Sequence, residues 1–517
     1  MRRYVYVLLF AVVLVAPFVV RRVVATGAAA GDGGAVPAGA AELVVVTPHN
    51  QDIRRTFAGA FADWHRQRFG AAVRVTYLTP GGTNDIVRLI ADQYEAQRDR
   101  ATGRLPDEAA TRTSIDVVWG GGDVTFDREL KPYLRPVELP EGVLAAAFPK
   151  PDLNGVALYE KTKDGAPRWV GVVLSSFGIV YNPSLYETLK LPPPQAWADL
   201  ARPELAGLVA LADPTRSGSA AVTYMMAVQR AMADAEQAYF DEHPDVAKLP
   251  PDARAKDAGY NAALAAGWKR GMRTLLLVAA NGRYFTDAAS QVPNDVGNAD
   301  AAAGVAIDFY ARVYQEQVGA RRIEYVAPRG ATAITPDPVA VLYGVTGDRG
   351  TLANRFVEFL LTPAAQRLWN LNPGRDPHVE RSLRRMPVRR DVYADRAGWA
   401  DDANPFEEAA VFNMRGEWMR LFGDTRPIWA AAWIDARATL KDAYDTVLRV
   451  PDAARRAALL AELSDLPIEL ADVDRQNRTR REMEQQKQDV RLWMTKQRIA
   501  WAAKFRDHYR AVASKAR

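Results

Sequence analysis

An α/β fold built on a mostly parallel sheet and continued by a helical C-terminal region is what the sequence predicts, and three observations carry that reading. Three strand–loop–helix units follow one another between residues 42 and 130, the arrangement that winds a parallel sheet. Two long extended runs, residues 169–181 and 304–310, exceed what one sheet normally needs and are expected to cross between two bodies. From about residue 400 the chain becomes rich in Arg, Ala and Glu, with Trp418, Trp429 and Trp433 spread through a helical pattern.

At 517 residues the chain has room for two or three cores. Its 48% hydrophobic and 25% charged residues are those of a folded soluble protein. The absence of cysteine excludes disulfides, thiolate metal sites, a Cys nucleophile and a lipid-modified N-terminal Cys. The net charge of +5 has its excess in residues 475–517, and no basic face interleaved with aromatics occurs in the α/β part. Nucleic acid is therefore not an expected partner. Arg2 and Arg3 precede an apolar run, residues 4–20, that Arg21 and Arg22 close. Such a run is an export address. Residues 1–25 are read either as a signal peptide or as a membrane anchor through residues 4–20, and both stay open. Residues 26–41, nearly all Ala and Gly, are a flexible linker. The expected location is the periplasm or the extracellular face of the cytoplasmic membrane.

The first unit is the β-branched run 42–47, the loop Pro48-His49-Asn50, and a helix with Ile53, Phe57, Phe61 and Trp64 on one face. In the second, the alternating run 73–78 meets TPGGTND, residues 79–85, before a helix carrying Ile86, Leu89 and Ile90, with Thr83 or Asn84 as its N-cap. Gly81 and Gly82 let the backbone approach a ligand where unpaired N–H groups and the positive helix end favour an anion. Run 114–119 and Gly120-Gly121-Gly122-Asp123 open the third unit, and the polar stretch 94–113 before it reads as a surface insertion. A further strand, 208–212, leads through Asp213-Pro214-Thr215-Arg216-Ser217-Gly218-Ser219 into a helix with Val222, Met225 and Met226. That is another helix-start cradle, with an Arg in it. In the tail Met483, Val490, Met494, Trp501 and Phe505 recur at steps of seven and four, a packing face for the body or for a partner.

With these motifs in view, residues 42–395 resemble the extracellular solute-binding proteins of ABC importers, in the ferric-iron and anion-binding group with two crossovers. The resemblance rests on TPHN, TPGGTND, DVVWGGG, SSFGIVYNP, LADPTRSGSA, the segment 283–310, VAPRGATAITPDPVAVL and FVEFLLTPAAQRLW. It implies a two-lobed, type II periplasmic-binding-protein-like α/β fold with a hinged cleft and a helical C-terminal extension. Lobe one would be 42–177 plus 308–395, lobe two 178–307, and the extension 396–517. The implied ligand site gathers His49, Gly81, Gly82, Thr83, Gly121 and Gly122 from lobe one. Ser175 and Ser176 would stand near the hinge, Thr215, Arg216, Ser217 and Ser219 at an opposing helix start, and Asp308 and Tyr310 on the return crossing. Two duller roles stay open: Arg216 paired with a surface carboxylate, and Asp308 holding the hinge.

The group's iron chemistry transfers poorly. Its iron binders use a His, a Glu and two adjacent Tyr, oxygen-rich ligands that suit a hard cation. By motif position His49 matches the His, but the Glu position falls in Gly120-Gly121-Gly122 and the Tyr pair falls on Phe309-Tyr310. No metal site and no cofactor is assigned. A small anionic solute, an organic phosphate or carboxylate, fits the remaining helix starts and Arg better than ferric iron does. The expected function is capture of that solute for delivery to an ABC permease, with no catalytic residue. A membrane-tethered ligand sensor or docking protein using the same cleft is the alternative. A hydrolase on this fold finds no G-x-S-x-G, no HExxH and no Walker A Lys.

Overall fold

The computed structural model describes residues 40–99, 102–407, 412–419, 421–486 and 488–517. The expected signal or anchor segment 1–25, with its apolar run 4–20, and nearly all of the linker lie outside them. No helix among the described residues is long and apolar enough to cross a membrane.

The chain opens with β1 (Ala41–Val46), α1 (Gln51–Phe69), β2 (Val73–Leu78), α2 (Thr83–Glu95) and β3 (Val117–Trp119). β1 lies between β2 and β3 and is parallel to both. Asn50 starts α1 by accepting the Ile53 N–H, and Gly70, at φ 68°, ends it in the left-handed conformation. Between these caps Ile53, Phe57 and Phe61 face the sheet and are fully buried. Each contributes about 1.5–3 kcal/mol of burial. The stretch read as a surface insertion begins in the core: Tyr94 is buried and donates to the Tyr343 carbonyl at 2.6 Å.

The middle of the chain gives β4 (Pro167–Tyr181), β5 (Val209–Ala212), α3 (Gly218–Glu242), α4 (Ala258–Ala280), β6 (Gly282–Thr286) and β7 (Ala303–Ile307). After it come α5 (Asp308–Val318), β8 (Glu324–Val326), β9 (Ile334–Leu342) and α6 (Gly347–Leu360). One continuous sheet runs in the order β6-β5-β7-β4-β9-β3-β1-β2. Its two ends are parallel and its middle antiparallel. β4 pairs with β9 through residues 170–176 and with β7 through residues 177–181, so a single strand belongs to both halves. Two main cores follow, one packed against each half.

Two expectations about the middle need correction. The run 304–310 is not one extended crossing: the strand stops at Ile307 and Asp308 begins α5. The chain returns to the first half later, in β9. Segment 308–326, given to the first lobe by the resemblance, rests largely on the second half, because β8 pairs with residues 179–181 and Ala311 packs with Val180 and Ala210. Phe309 and Tyr310, at its start, reach the first core.

The C-terminal region is helical: α7 (Phe422–Trp429), α8 (Arg437–Leu448), α9 (Ala453–Ser464), α10 (Leu470–Gln485) and α11 (Val490–Ala516). It is no appendage. Trp429, Trp433, Tyr444, Phe505 and Tyr509 are buried in the same core as β5, α3 and α4. The tail stripe read as one face is split between two helices, with Met483 on α10, and the buried face of α11 is Ala502, Phe505, Tyr509 and Val512.

Candidate functional site

Where the two halves meet, the carboxyl ends of the strands and two helix starts enclose a cavity of about 500 Å³. Of the residues read from the sequence, His49, Gly81, Gly82, Thr83, Gly121, Gly122, Ser175, Arg216, Ser217, Ser219 and Tyr310 line it. Ser176, Thr215 and Asp308 do not.

The starts of α2 and α3 come from opposite halves and stand against each other. A methyl group on Gly218 would lie 3.6 Å from Thr83 Cβ, and one on Gly82 would lie 3.2 Å from the Arg216 carbonyl oxygen. Asn84 donates across the rim to the Thr215 carbonyl at 2.5 Å. Gly82, one residue before the expected caps, is the N-cap of α2, and its N–H goes to Asp85 Oδ2 at 3.1 Å. Ser217 caps α3 by accepting the Ala220 N–H, and its hydroxyl lies 3.2 Å from that of Ser219. Thr83, Ser217 and Ser219 thus place three hydroxyls beside two helix starts, the positive ends of their helices.

The centre of the first half's wall is a residue the sequence reading missed. Asp337, on β9, accepts from the Gly121 and Gly122 N–H groups through Oδ1, at 2.7 and 3.2 Å. Its Oδ2 accepts from Arg385 at 2.9 Å. The amides of these two glycines, expected as part of the ligand site, are therefore already engaged by the protein's own carboxylate. The Arg385 guanidinium, itself 2% exposed, also donates to Ser175 Oγ at 2.8 Å and lies 4.3 Å from the Phe309 ring centroid. The guanidinium over that ring is a cation–π contact. Although burial opposes its charge, the nearby guanidinium and the His49 contact hold the Asp337 carboxyl well below the usual carboxylate range.

His49 Nε2 lies 3.1 Å from both Asp337 Oδ2 and Arg385 Nη1, so it either donates to the first or accepts from the second. Burial lowers its pKa and keeps the ring neutral. Its other nitrogen, Nδ1, is buried without a partner, and the ring packs edge-on to Trp119 at 4.5 Å. Gly120, at φ 88°, admits this ring: a side chain there would come within 2.8 Å of it.

Two of the remaining candidates, Asp308 and Thr215, are engaged in structural contacts. Asp308 accepts from the Ser176 N–H and hydroxyl, both at 3.1 Å, tying α5 to β4. Thr215 turns its hydroxyl to Asp213 at 2.6 Å. Arg216 pairs with Asp287 at 2.7 Å, both more than half exposed, an ion pair worth little in water. Burial pushes the Tyr310 phenol up to about 12. Among the described residues no group of three or more His, Cys, Asp or Glu side chains could hold a metal ion.

Besides Asp337 and Arg385, the cavity is lined by Asp123 and by Arg426 of the C-terminal region. Arg426, on α7, donates to the Pro214 carbonyl at 3.0 Å and lies 3.8 Å from Glu129 of the first half. An acidic residue flanked by two prolines inside an apolar strand was the one available signal for Asp337. Neither arginine had one.

Residues 141–385 match the family described as bacterial extracellular solute-binding protein. The phosphoglycerate transport regulatory protein PgtC of Salmonella typhimurium is 24% identical over 209 residues, 40% of this chain and 42% of that protein. Its counterpart in Salmonella typhi matches equally. The chain thus spans less than half the length of the curated relatives it matches. The solved structure of the periplasmic binding protein P5PA superposes with a TM-score of 0.52 at 14% identity, covering 76% of this chain and 99% of that one. The fold is that of the type II periplasmic binding proteins, and the matched family is one of solute-binding proteins, not of enzymes.

Proposed function

We propose, for a chain whose residues 141–385 match the extracellular solute-binding family, that the cavity captures a small anionic organic solute, a phosphate or carboxylate, for an ABC permease. The observation that carries the reading is the meeting of the α2 and α3 starts, one from each half, across a single cavity bearing the hydroxyls of Thr83, Ser217 and Ser219. Helix starts attract negative charge, and enclosure between two lobes strengthens each contact by excluding water. The work is binding without chemistry: an open cleft admits the solute and closing desolvates it.

Ferric iron is the poorer fit. Arg385 sets a guanidinium 3.1 Å from His49 Nε2, and burial keeps Tyr310 a neutral phenol. A cation would meet a cation and a protonated oxygen.

A second reading has one observation in its favour. The curated relatives are called transport regulatory proteins, so the same cleft would report a solute to a membrane partner instead of delivering it. The anchor through residues 4–20 belongs with that reading.

Thermal unfolding of the full chain with glycerol 3-phosphate, 3-phosphoglycerate, glycerate, inorganic phosphate or ferric citrate tests the ligand class. A ligand at a hundred times its Kd adds about 2.7 kcal/mol. Stabilisation by an organic anion without metal, weakened in Thr83→Val and Ser219→Ala, is expected. Stabilisation by ferric citrate alone overturns the anion reading.

A further inference from the structure

Asp123 is the charged group of the cavity wall that the protein itself leaves unmatched. It follows Gly122, at φ 83°, and opens the short helical turn Asp123–Thr125. Two carboxylates face it, and each has its own donor: Asp127 receives the Trp169 indole N–H at 2.7 Å, and Asp337 receives Arg385. Asp123 has only the main-chain N–H groups of its own residue and of Val124, and no side chain among the described residues donates to it. It is partly exposed, and the space it is exposed to is the cavity. Burial and the charges of Asp127 and Asp337 push its carboxyl up to about 7. An Asn or an apolar residue would serve stability better at such a place. Groups kept at that cost collect where ligands bind.

We propose that Asp123 is a specificity-determining acceptor for a hydroxyl of the bound solute, which makes the solute a hydroxylated organic anion; this rests on the anion-cleft reading above. A second anionic group of the ligand would meet Asp123 with Asp337 beside it on the same wall, which disfavours dicarboxylates. Inorganic phosphate or sulfate leaves most of about 500 Å³ unfilled. A solute with one anionic end and hydroxyls along its length satisfies both the helix starts and Asp123.

The test is calorimetric titration of the full chain at pH 8, where the Asp123 carboxyl is ionised, with two matched pairs, glycerol 3-phosphate against n-propyl phosphate and glycerate against propionate. Wild type, Asp123→Asn and Asp123→Ala are compared, with circular dichroism as the check on folding. The expected result is about a tenfold or greater preference for the hydroxylated member in wild type, the usual worth of a hydrogen bond to a charged group. That preference falls to within about threefold in Asp123→Ala, while Asp123→Asn, which keeps one carbonyl oxygen, is intermediate. Equal binding of both members by wild type overturns the inference and leaves the anion cleft standing, as does a preference that survives Asp123→Ala. If no member of either pair binds wild type, the anion-cleft reading fails and this inference fails with it.

Discussion

Replacing Asp337 by Ala should be among the costliest single changes in the first half. The carboxylate serves two backbone amides through one oxygen and the Arg385 guanidinium through the other. Without it Arg385, almost wholly buried, keeps its charge and loses its counterion. Breaking a buried pair from one side costs about 3–5 kcal/mol. Each stranded amide adds about 1 kcal/mol unless water reaches it, and the adjacent cavity supplies that water, so a total near 4 kcal/mol is expected by the same arithmetic. Asp337→Asn retains a carbonyl acceptor for the amides and should lose about half as much. Because the carboxyl is held below its ordinary range, its stabilisation is fully present above the unfolded pKa and is lost only as pH falls through the depressed native value. The gap between wild type and Asp337→Ala should hold from neutral pH to mildly acid solution and close only in strong acid. Urea unfolding of the full chain across pH measures it. Excess formate, which fits the space the side chain vacates, should restore part of the loss. A destabilisation under about 1 kcal/mol, no larger than an ordinary surface change, would refute the role given to this carboxylate.

Three other expectations follow from contacts already described. Asp123→Asn should stabilise the ligand-free protein at pH 8 and not at pH 4. The native carboxyl, raised to about 7, keeps a proton that the unfolded chain has released, so wild type loses stability as pH rises through that value. Three pKa units correspond to about 4 kcal/mol, which water in the cavity reduces to about 1–2 kcal/mol; melting temperatures that do not diverge with pH would sink the argument. Trp433→Ala, removing a ring only 1% exposed and stacked 5.5 Å from Trp429, should cost about 3–5 kcal/mol in urea unfolding. A chain ended at residue 395 that still unfolds cooperatively with native stability would show that the C-terminal region is dispensable to the second core. Asn84→Ala removes one hydrogen bond across the rim and should raise the solute Kd by up to about tenfold, mostly through faster release, while costing the solute-free protein no more than about 1 kcal/mol in urea unfolding.

Local pattern carried much of this structure. The alternation in residues 73–78 matches β2 end to end, TPGGTND marks the start of α2 to within a residue, and the length of residues 169–181 correctly announces a strand shared by two halves. Failures came where tertiary contacts outrank pattern. Val305, Ile307 and Phe309 read as one extended run, yet Asp308 bends its carboxylate back to the Phe309 N–H at 2.8 Å and to Ser176, and a helix begins there. The core of the site was illegible for a related reason. Asp337 and Arg385 lie 48 residues apart, and Arg385 stands beside Arg384, which has the same chemistry in sequence but pairs with Glu316. Periodicity reports which face is buried; it does not say which buried charges meet. The tryptophans after residue 400 announced helices, but not that those helices complete the core of a half folded far earlier in the chain.

That shared core also determines which parts would move together if one half rotated against the other. Helices α7 to α11 are fused to β5, α3 and α4 through continuous apolar packing, while the first half touches them through polar contacts such as Arg426 with Glu129. A rotation of one half against the other therefore carries the whole C-terminal mass with the second half. Its longest member, α11, has 27 residues and so a length of about 40 Å. Under such a rotation a small swing at the cavity rim would become a larger sweep at the far end of that helix, and the outer surface of the C-terminal region would report the state of the cleft.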